Sequence, residues 1–397
     1  MIPVQKALKL LDHNIQPLGT ERVGIGNSIG RILAEDIIAD SDLPPFNRSQ
    51  MDGYAVRSRD TRHAPVTLKI VGESAAGRGW HKDLKRGEAI RIMTGAPVPA
   101  GADAVEKIEL TKEYDSLVSF IDPVAKGQFI IEKGKEIRLG EVVIAAGRRV
   151  TPEMIATPAA FGYSKIKVAK QPTVTIIPTG AEIVGIGKKP KRDQIRDSNS
   201  ISLASLSANS VASVYVGASV GDDLEQLGNA IDSAAKVSDI VVTTGGVSVG
   251  KYDLTKRAMA SIGARIIFDK VALRPGKPTV FARRGKKYFF GLPGNPVSAA
   301  VTFLLFVRRA IMLMQSATDP AMQRGFAVLN SPLRGTKSRD VYFPARLASS
   351  ADGKLIAVPL PWIGSSDLVS FANAEALVIV PKLTTFNEGD VADVLFL

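Results

Sequence analysis

From about residue 171 onward, apolar β-branched runs of four to six residues alternate with segments whose apolar side chains recur every three or four positions. TVTIIPTG, VASVYVG, DIVVTTGG, ARIIFDK, TVFAR and YFFGLPGNP have the first character. SISLASLSAN, DDLEQLGNAIDSAAK, KYDLTKRAMASIG and VSAAVTFLLFVRRAIML have the second. Such alternation predicts a doubly wound α/β domain. In DDLEQLGNAIDSAAK, Asp222 is the expected N-cap, and Leu224, Leu227, Ile231 and Ala235 share one helical face. Beyond about residue 320 the pattern becomes short strands only (FAVLNSPL, VYFPARLA, KLIAVPL, EALVIVP, VADVLFL), which predicts a small β domain. Near the start, VQKALKLLDHN reads as an amphipathic helix. Pro44-Pro45 then ends the first segment, and the β-like runs PVTLKIVG, EAIRIMTG, DAVEKIEL, SLVSFIDPV and FIIEKG follow, separated by Gly, Pro and Asp. VTPEMIATPAAFGYSKIKVAK is expected to give a helix from near Pro152 and a strand that pack back against the N-terminal helix.

These patterns divide the chain into 1–41 with 141–170, an inserted mostly-β segment 42–140, an α/β segment 171–319 and a β segment 320–397. A chain of 397 residues suits several domains at roughly 100–200 residues each. The absence of cysteine removes disulfides, thiolate metal sites and cysteine nucleophiles, and suits a reducing, cytoplasmic setting. The longest wholly apolar run, Ala299 to Val307, falls well short of the ~20 residues of a membrane span, so no membrane association is expected. The net charge is +12, and residues 171–319 carry most of it, with 19 Lys and Arg against 11 acids. That excess could attract any anion. Few aromatics are interleaved for base stacking, which favours a phosphate-rich small ligand over nucleic acid. The basic clusters KKPKR (188–192) and RRGKK (283–287) read as solvated loops.

Ligands of doubly wound sheets bind beyond the carboxyl ends of the strands. Three loops there carry candidate chemistry. Gly245, Gly246, Ser248 and Gly250 form a glycine-rich turn ahead of Asp253 and a helix, suited to bringing backbone N–H groups to an anion. A structural tight turn accounts for it equally well. Lys270, Arg274 and Lys277 surround Pro275 and Pro278 in a rigid basic loop. Pro293, Gly294, Asn295 and Pro296 make a stiff turn into a helix, with Ser298 as cap or anion ligand. Glu182, Asp222, Asp223 and Asp253 would make an all-oxygen Mg²⁺ site if they converge. In the first half, Asp52 lies in a tight turn and Thr94 ends a strand with an exposed hydroxyl.

FNRSQMDGYAV, RIMTGAPVPAGADAV, PTGAEIV, DSN (197–199), TTGGVSVGKYD, RPGKP and GLPGNPVSA, in this order and spacing, resemble the molybdopterin molybdotransferase family, which includes MoeA and the E domain of gephyrin. The resemblance covers the whole chain. It implies a discontinuous helical and β domain, an inserted β domain, a doubly wound domain resembling the adenylyltransferase MogA and a C-terminal β barrel. It also implies insertion of molybdate into adenylylated molybdopterin with Mg²⁺, releasing AMP and molybdenum cofactor. The family's functional residues fall on Asp52, Thr94, Glu182, Asp222, Asp253, Lys270, Arg274, Pro293 and Pro296. In the expected division of labour, Glu182 and Asp253 hold Mg²⁺, the Gly245 to Gly250 loop cradles phosphate, and Lys270, Arg274 and Lys277 neutralise oxyanions. Asp52 positions molybdate or its water and accepts protons. The resemblance further implies a homodimer with its cleft shared between subunits, and transient contact with a molybdopterin adenylyltransferase.

The chain departs from the family pattern at several places. Arg274 stands where Lys is usual, Ala181-Glu182 replaces an acidic pair, Glu136 replaces Asp, and Asn47, Arg48 and Gln50 differ from the common FDNSAMDGYA form. Tungstate in place of molybdate, or a non-catalytic molybdopterin-binding scaffold, are the alternatives these departures raise.

Overall fold

The structure, a computed structural model, describes residues 1–246 and 254–397. The chain forms two compact units, one of residues 1–35, 146–152 and 165–397, the other of 36–145 and 153–164.

The second unit holds a six-stranded sheet. Gly53–Val56 lies between Ala104–Lys107 and Glu88–Ile92, and Val66–Ser74, Leu117–Phe120 and Thr111–Tyr114 follow outward. Tyr54, Val118 and Phe120 fill its core, with the Tyr54 and Phe120 rings edge to face. Gly53 is obligatory at the start of its strand, because a Cβ there would lie 1.8 Å from the Glu106 carbonyl.

The first unit is built on a second six-stranded sheet. Its elements are β1 (Thr173–Pro178), α1 (Asn199–Asn209), β2 (Ser213–Val216), α2 (Leu224–Val237), β3 (Ile240–Thr244), α3 (Leu254–Ser261), β4 (Arg265–Phe268), β5 (Val280–Arg284), β6 (Lys287–Leu292) and α4 (Pro296–Met314). The order is β2-β1-β3-β6-β5-β4; the first four strands are parallel and β5 and β4 run antiparallel. All of β3 is buried, as is β6 apart from its first residue, which is why these strands read as continuous apolar runs. Alternate side chains feed two cores. Val174, Ile176, Val242 and Phe290 meet Leu203 of α1 and Val297, Val301 and Phe306 of α4, whereas Ile177, Val241 and Phe289 meet Leu227 and Ile231 of α2 and Met259 of α3.

α4 is long and apolar enough to cross a membrane by length and composition, but 83% of its most apolar window is buried, the signature of a core helix. One π turn, Phe303–Val307, interrupts it. The N-terminal helix Val4–Asn14 joins this same core through Val4, Ala7 and Leu11, and Arg309 of α4 pairs with its Asp12 at 2.7 Å. The helix and strand expected after Pro152 fall in different units. Ala156–Ala160 belongs to the second unit, while Lys165–Ala169 pairs antiparallel with Thr20–Gly24 in the first.

β7 (Arg324–Leu329), β8 (Asp340–Ser349), β9 (Leu355–Pro359), β10 (Ala376–Val380) and β11 (Val391–Phe396) close into a barrel. Closure comes from β8, which pairs with β10 through Val341–Ala345 and with β9 through Ala345–Ser349. Ten residues are long enough to serve two neighbours, so this circuit has no free edge.

Candidate functional site

The crossover from β1 runs to β2 on one side of it, and the next crossover carries the chain from β2 back past β1 to β3 on the other side. The crevice beyond the carboxyl ends of β1 and β3 is the topological switch point, where doubly wound sheets bind ligands. A cleft of about 780 Å³ lies there, floored by Thr179-Gly180 after β1, Thr244-Gly245-Gly246 after β3 and Pro293 to Pro296 after β6.

Its floor is held by backbone geometry. Thr179 donates through both N–H and Oγ1 to the Thr244 carbonyl, each at 3.0 Å, tying the two strand ends together. Gly245 has φ +99°, and a Cβ on it would stand 2.6 Å from the Thr179 carbonyl oxygen; only glycine suits this turn. The Gly245 N–H donates to the Leu292 carbonyl at 3.0 Å. The Gly245 N–H is thus taken up in the close approach of strand ends, and residues 247–250 of the expected phosphate cradle lie outside the described residues. Asn295 caps α4 without a side-chain bond to the helix. Its Nδ2 instead donates to Ser365 Oγ at 2.7 Å, and the Ser365 carbonyl accepts the Val297 N–H, so the segment after β9 contributes Ser366 and Leu368 to the cleft wall.

Asn199, at the start of α1, donates Nδ2 to the Gly294 carbonyl at 2.7 Å and to Thr244 Oγ1 at 3.4 Å. A carbonyl can only accept, which fixes the amide orientation and leaves Asn199 Oδ1 without a partner among the described residues. This buried acceptor can read an N–H or O–H of a ligand in the cleft.

The acids sort differently from expectation. Asp223, not Asp222, caps α2, accepting the Gln226 N–H at 2.7 Å. Asp222 is thereby released and lines the cleft with Glu182; neither side chain accepts a hydrogen bond among the described residues. Asp197, also in the wall, is turned to the Ser200 N–H at 3.0 Å. Among the described residues no group of three or more His, Asp or Glu stands close enough to hold a metal. Asp253, Ser248 and Gly250 lie outside the described residues.

The structure brings Glu182, Asp222, Gly245, Gly246, Pro293, Gly294, Asn295 and Pro296 to one cleft. It does not bring Lys270, Arg274, Lys277 or Ser298 to that wall, although Pro278 reaches it. Arg274 lies over the Trp362 ring, 5.8 Å from its centroid. Ser298 lies buried within α4, whose cap is Asn295, so it is not the cap. Arg196 is the one cation lining the cleft among the described residues. Asn199, Arg196 and Ser366 are among the polar wall residues that sequence reasoning gave no role. The DSN triplet pointed toward the first, and nothing short of the closed barrel pointed toward Ser366.

In the other unit, Asp52 Oδ1 accepts the Thr94 N–H at 2.6 Å. This bond, with the Thr94 side chain, holds the Asp52 carboxyl below its ordinary value. The Thr94 contacts favour the ionised carboxylate, which is a hydrogen-bond acceptor. Two of the departures offset one another here. Arg48 Nη2 pairs with Glu136 Oε1 at 3.1 Å, and Asn47 Oδ1 accepts the Lys133 N–H at 2.8 Å.

A doubly wound sheet with a polar cleft at its switch point, joined to a closed barrel, defines a small-ligand-binding α/β protein of MoeA architecture. Three family models match: "MoeA N-terminal region (domain I and II)" over residues 2–162, "Probable molybdopterin binding domain" over 175–312 and "MoeA C-terminal region (domain IV)" over 327–397. The chain is 36% identical to the molybdopterin molybdenumtransferase of Bacillus subtilis, with 100% of this chain and 94% of the relative covered. It is 34% identical to that of Staphylococcus aureus strain Mu50, covering 99% and 95%. The molybdopterin biosynthesis MoeA protein of Pyrococcus horikoshii OT3 superposes with a TM-score of 0.87 at 28% identity, covering 100% of both chains. A second structure of a Pyrococcus MoeA protein gives 0.82 at 32% identity, covering 100% and 99%. The chain belongs to the MoeA family of molybdopterin molybdenumtransferases.

Proposed function

We propose that this protein inserts molybdate into adenylylated molybdopterin with Mg²⁺, releasing AMP and molybdenum cofactor. The observation that carries the reading is the full-length likeness to relatives named molybdopterin molybdenumtransferase, taken together with a cleft at the switch point in which the Glu182 and Asp222 side chains accept no hydrogen bond among the described residues. In the reaction, an oxygen nucleophile bonds to one anhydride phosphorus as the bridging P–O bond breaks, and the bridging oxygen leaves on the other phosphate. Catalysis of such a step is mainly positioning and charge stabilisation.

Glu182 and Asp222 fit Mg²⁺ in kind, since the ion takes one or two protein carboxylates beside phosphate and water; Asp253 is the further candidate from sequence. The ion would supply neutralisation of phosphate charge. Asn199 Oδ1 would orient the ligand through a hydrogen bond, and the rigid Pro293 to Pro296 turn would exclude water from one side. Lys270, Arg274 and Lys277 are assigned to the oxyanion, outside the described cleft wall. A homodimer in which Asp52 and Thr94 of one subunit serve the cleft of the other, transient contact with a molybdopterin adenylyltransferase and a cytoplasmic setting complete the reading.

The test mixes purified protein, Mg²⁺ and adenylylated molybdopterin with molybdate, tungstate or neither, and measures AMP. Release that requires molybdate is expected. Release with tungstate alone would make the protein a tungstate-inserting relative, and binding without oxyanion-dependent release would make it a scaffold.

A further inference from the structure

The cleft wall presents three carboxylates, Glu182, Asp197 and Asp222, and among the described residues a single cation, Arg196. On its own this wall repels a pyrophosphate at a distance. The segment that leaves the wall at Ile183 and returns to it at Ile195 carries the opposite charge. Lys188, Lys189, Lys191 and Arg192 are all exposed, only Asp193 offsets them, and none is in an ion pair among the described residues. Cations elsewhere in this domain are partly neutralised, as in Lys256–Asp269, Arg284–Asp232 and Lys287–Asp239.

The segment is also held in shape. Ile183-Val184 pairs in parallel with Ile195-Arg196 at its base, where the Ile195 N–H donates to the Glu182 carbonyl at 2.9 Å. Arg196 Nε donates to the Lys188 carbonyl at 3.1 Å, the Lys188 N–H to the Gly185 carbonyl at 2.9 Å, and the Lys191 N–H to Gln194 Oε1 at 3.1 Å. A tethered base and internal turns keep the four charges beside the mouth of the cleft instead of letting them range through solvent.

We infer that this arm, residues 185–194, steers the polyanionic substrate into the cleft, raising its association rate without contacting it during the chemical step. The inference rests on the proposed function for the identity of that substrate. Charge so placed raises association rates by about 10- to 1,000-fold at low ionic strength. The benefit fades as the screening length falls from about 8 Å at physiological salt to about 3 Å at 1 M.

The experiment follows binding of adenylylated molybdopterin to the full chain by stopped-flow pterin fluorescence across a salt series. It compares the unaltered protein with Lys188→Gln/Lys189→Gln/Lys191→Gln/Arg192→Gln and with a matched variant, Lys6→Gln/Lys9→Gln/Lys236→Gln/Lys286→Gln, that loses equal charge on other elements. The arm variant should associate about tenfold more slowly at low salt, keep its dissociation rate, and converge with the unaltered protein near 1 M salt. The matched variant should change little. Equal association rates for all three proteins, or an equal loss in both variants, would overturn the arm's role while leaving the proposed function standing. That holds even if delivery by an adenylyltransferase responded to the arm variant, since the arm would then serve an acidic protein surface. No binding by the unaltered chain would overturn the proposed function itself, and the inference with it.

Discussion

Asp222 and Asp223 show how much one position decides. Both are acids at the start of a helix, but Asp223, with an extended backbone, makes the 2.7 Å contact of a cap, which leaves Asp222 to the cleft. Asp223→Ala should cost about 0.5–2 kcal/mol of stability in urea unfolding. Asp222→Ala should stay within about 0.5 kcal/mol, because it removes an exposed carboxylate that has no partner among the described residues. Activity should respond in the reverse order, with AMP release falling about tenfold or more for Asp222→Ala, the worth of one charge-assisted contact, and little for Asp223→Ala. Equal effects of the two variants on both readouts would erase the distinction. Asp52 belongs to the same scale. A depressed carboxyl stabilises the fold above its unfolded value of about 3.8 and ceases to do so only as pH falls through the lower folded value, so its charge is constant across the working range.

Among elements, the strand ends of β1 and β3 make the site, and the turn after β3 is where backbone conformation matters most. Gly245→Ala would place a methyl 2.6 Å from the Thr179 carbonyl at φ +99°, and should lower stability by about 1–3 kcal/mol with an unchanged urea dependence. An unfolding midpoint equal to that of the unaltered protein would show the turn to be adaptable. Most elements were legible from the chain. The strands of the α/β domain and barrel coincide with apolar runs, because a run of alternating or continuous apolar residues has few other ways to be buried, and the Pro-Gly-Asn-Pro turn does enter the cleft. What was hidden depended on distant partners. The antiparallel sense of β4 and β5 follows from which neighbours they meet. The docking of Val4, Ala7 and Leu11 on α4 needs a face that only the folded domain creates. The direction of the Arg274 side chain, over Trp362 and away from the described cleft wall, cannot be read from a loop whose prolines fix backbone but not side chains. Arg48 and Glu136, 88 positions apart, looked like separate departures from the family pattern until their pairing was visible.

At the scale of the molecule, the +12 charge, concentrated in residues 171–319, is suited to attracting an anion. The described wall is instead mainly acidic and polar, with positive charge on an arm beside it, an arrangement that separates attraction of an anion from the handling of its phosphates. A second concavity, an apolar groove of about 620 Å³ between β2 and α2 and lined by Tyr215, Val216 and Val237, has no comparable set of polar groups. The central claim is that the switch-point cleft holds the pyrophosphate of adenylylated molybdopterin. A crystal structure of the full chain with that ligand and Mg²⁺ tests it most directly. The pyrophosphate should lie over the Gly245-Gly246 turn with the ion at Glu182 or Asp222 and a ligand N–H or O–H on Asn199 Oδ1; a pyrophosphate bound anywhere else, with this cleft empty, would contradict the account.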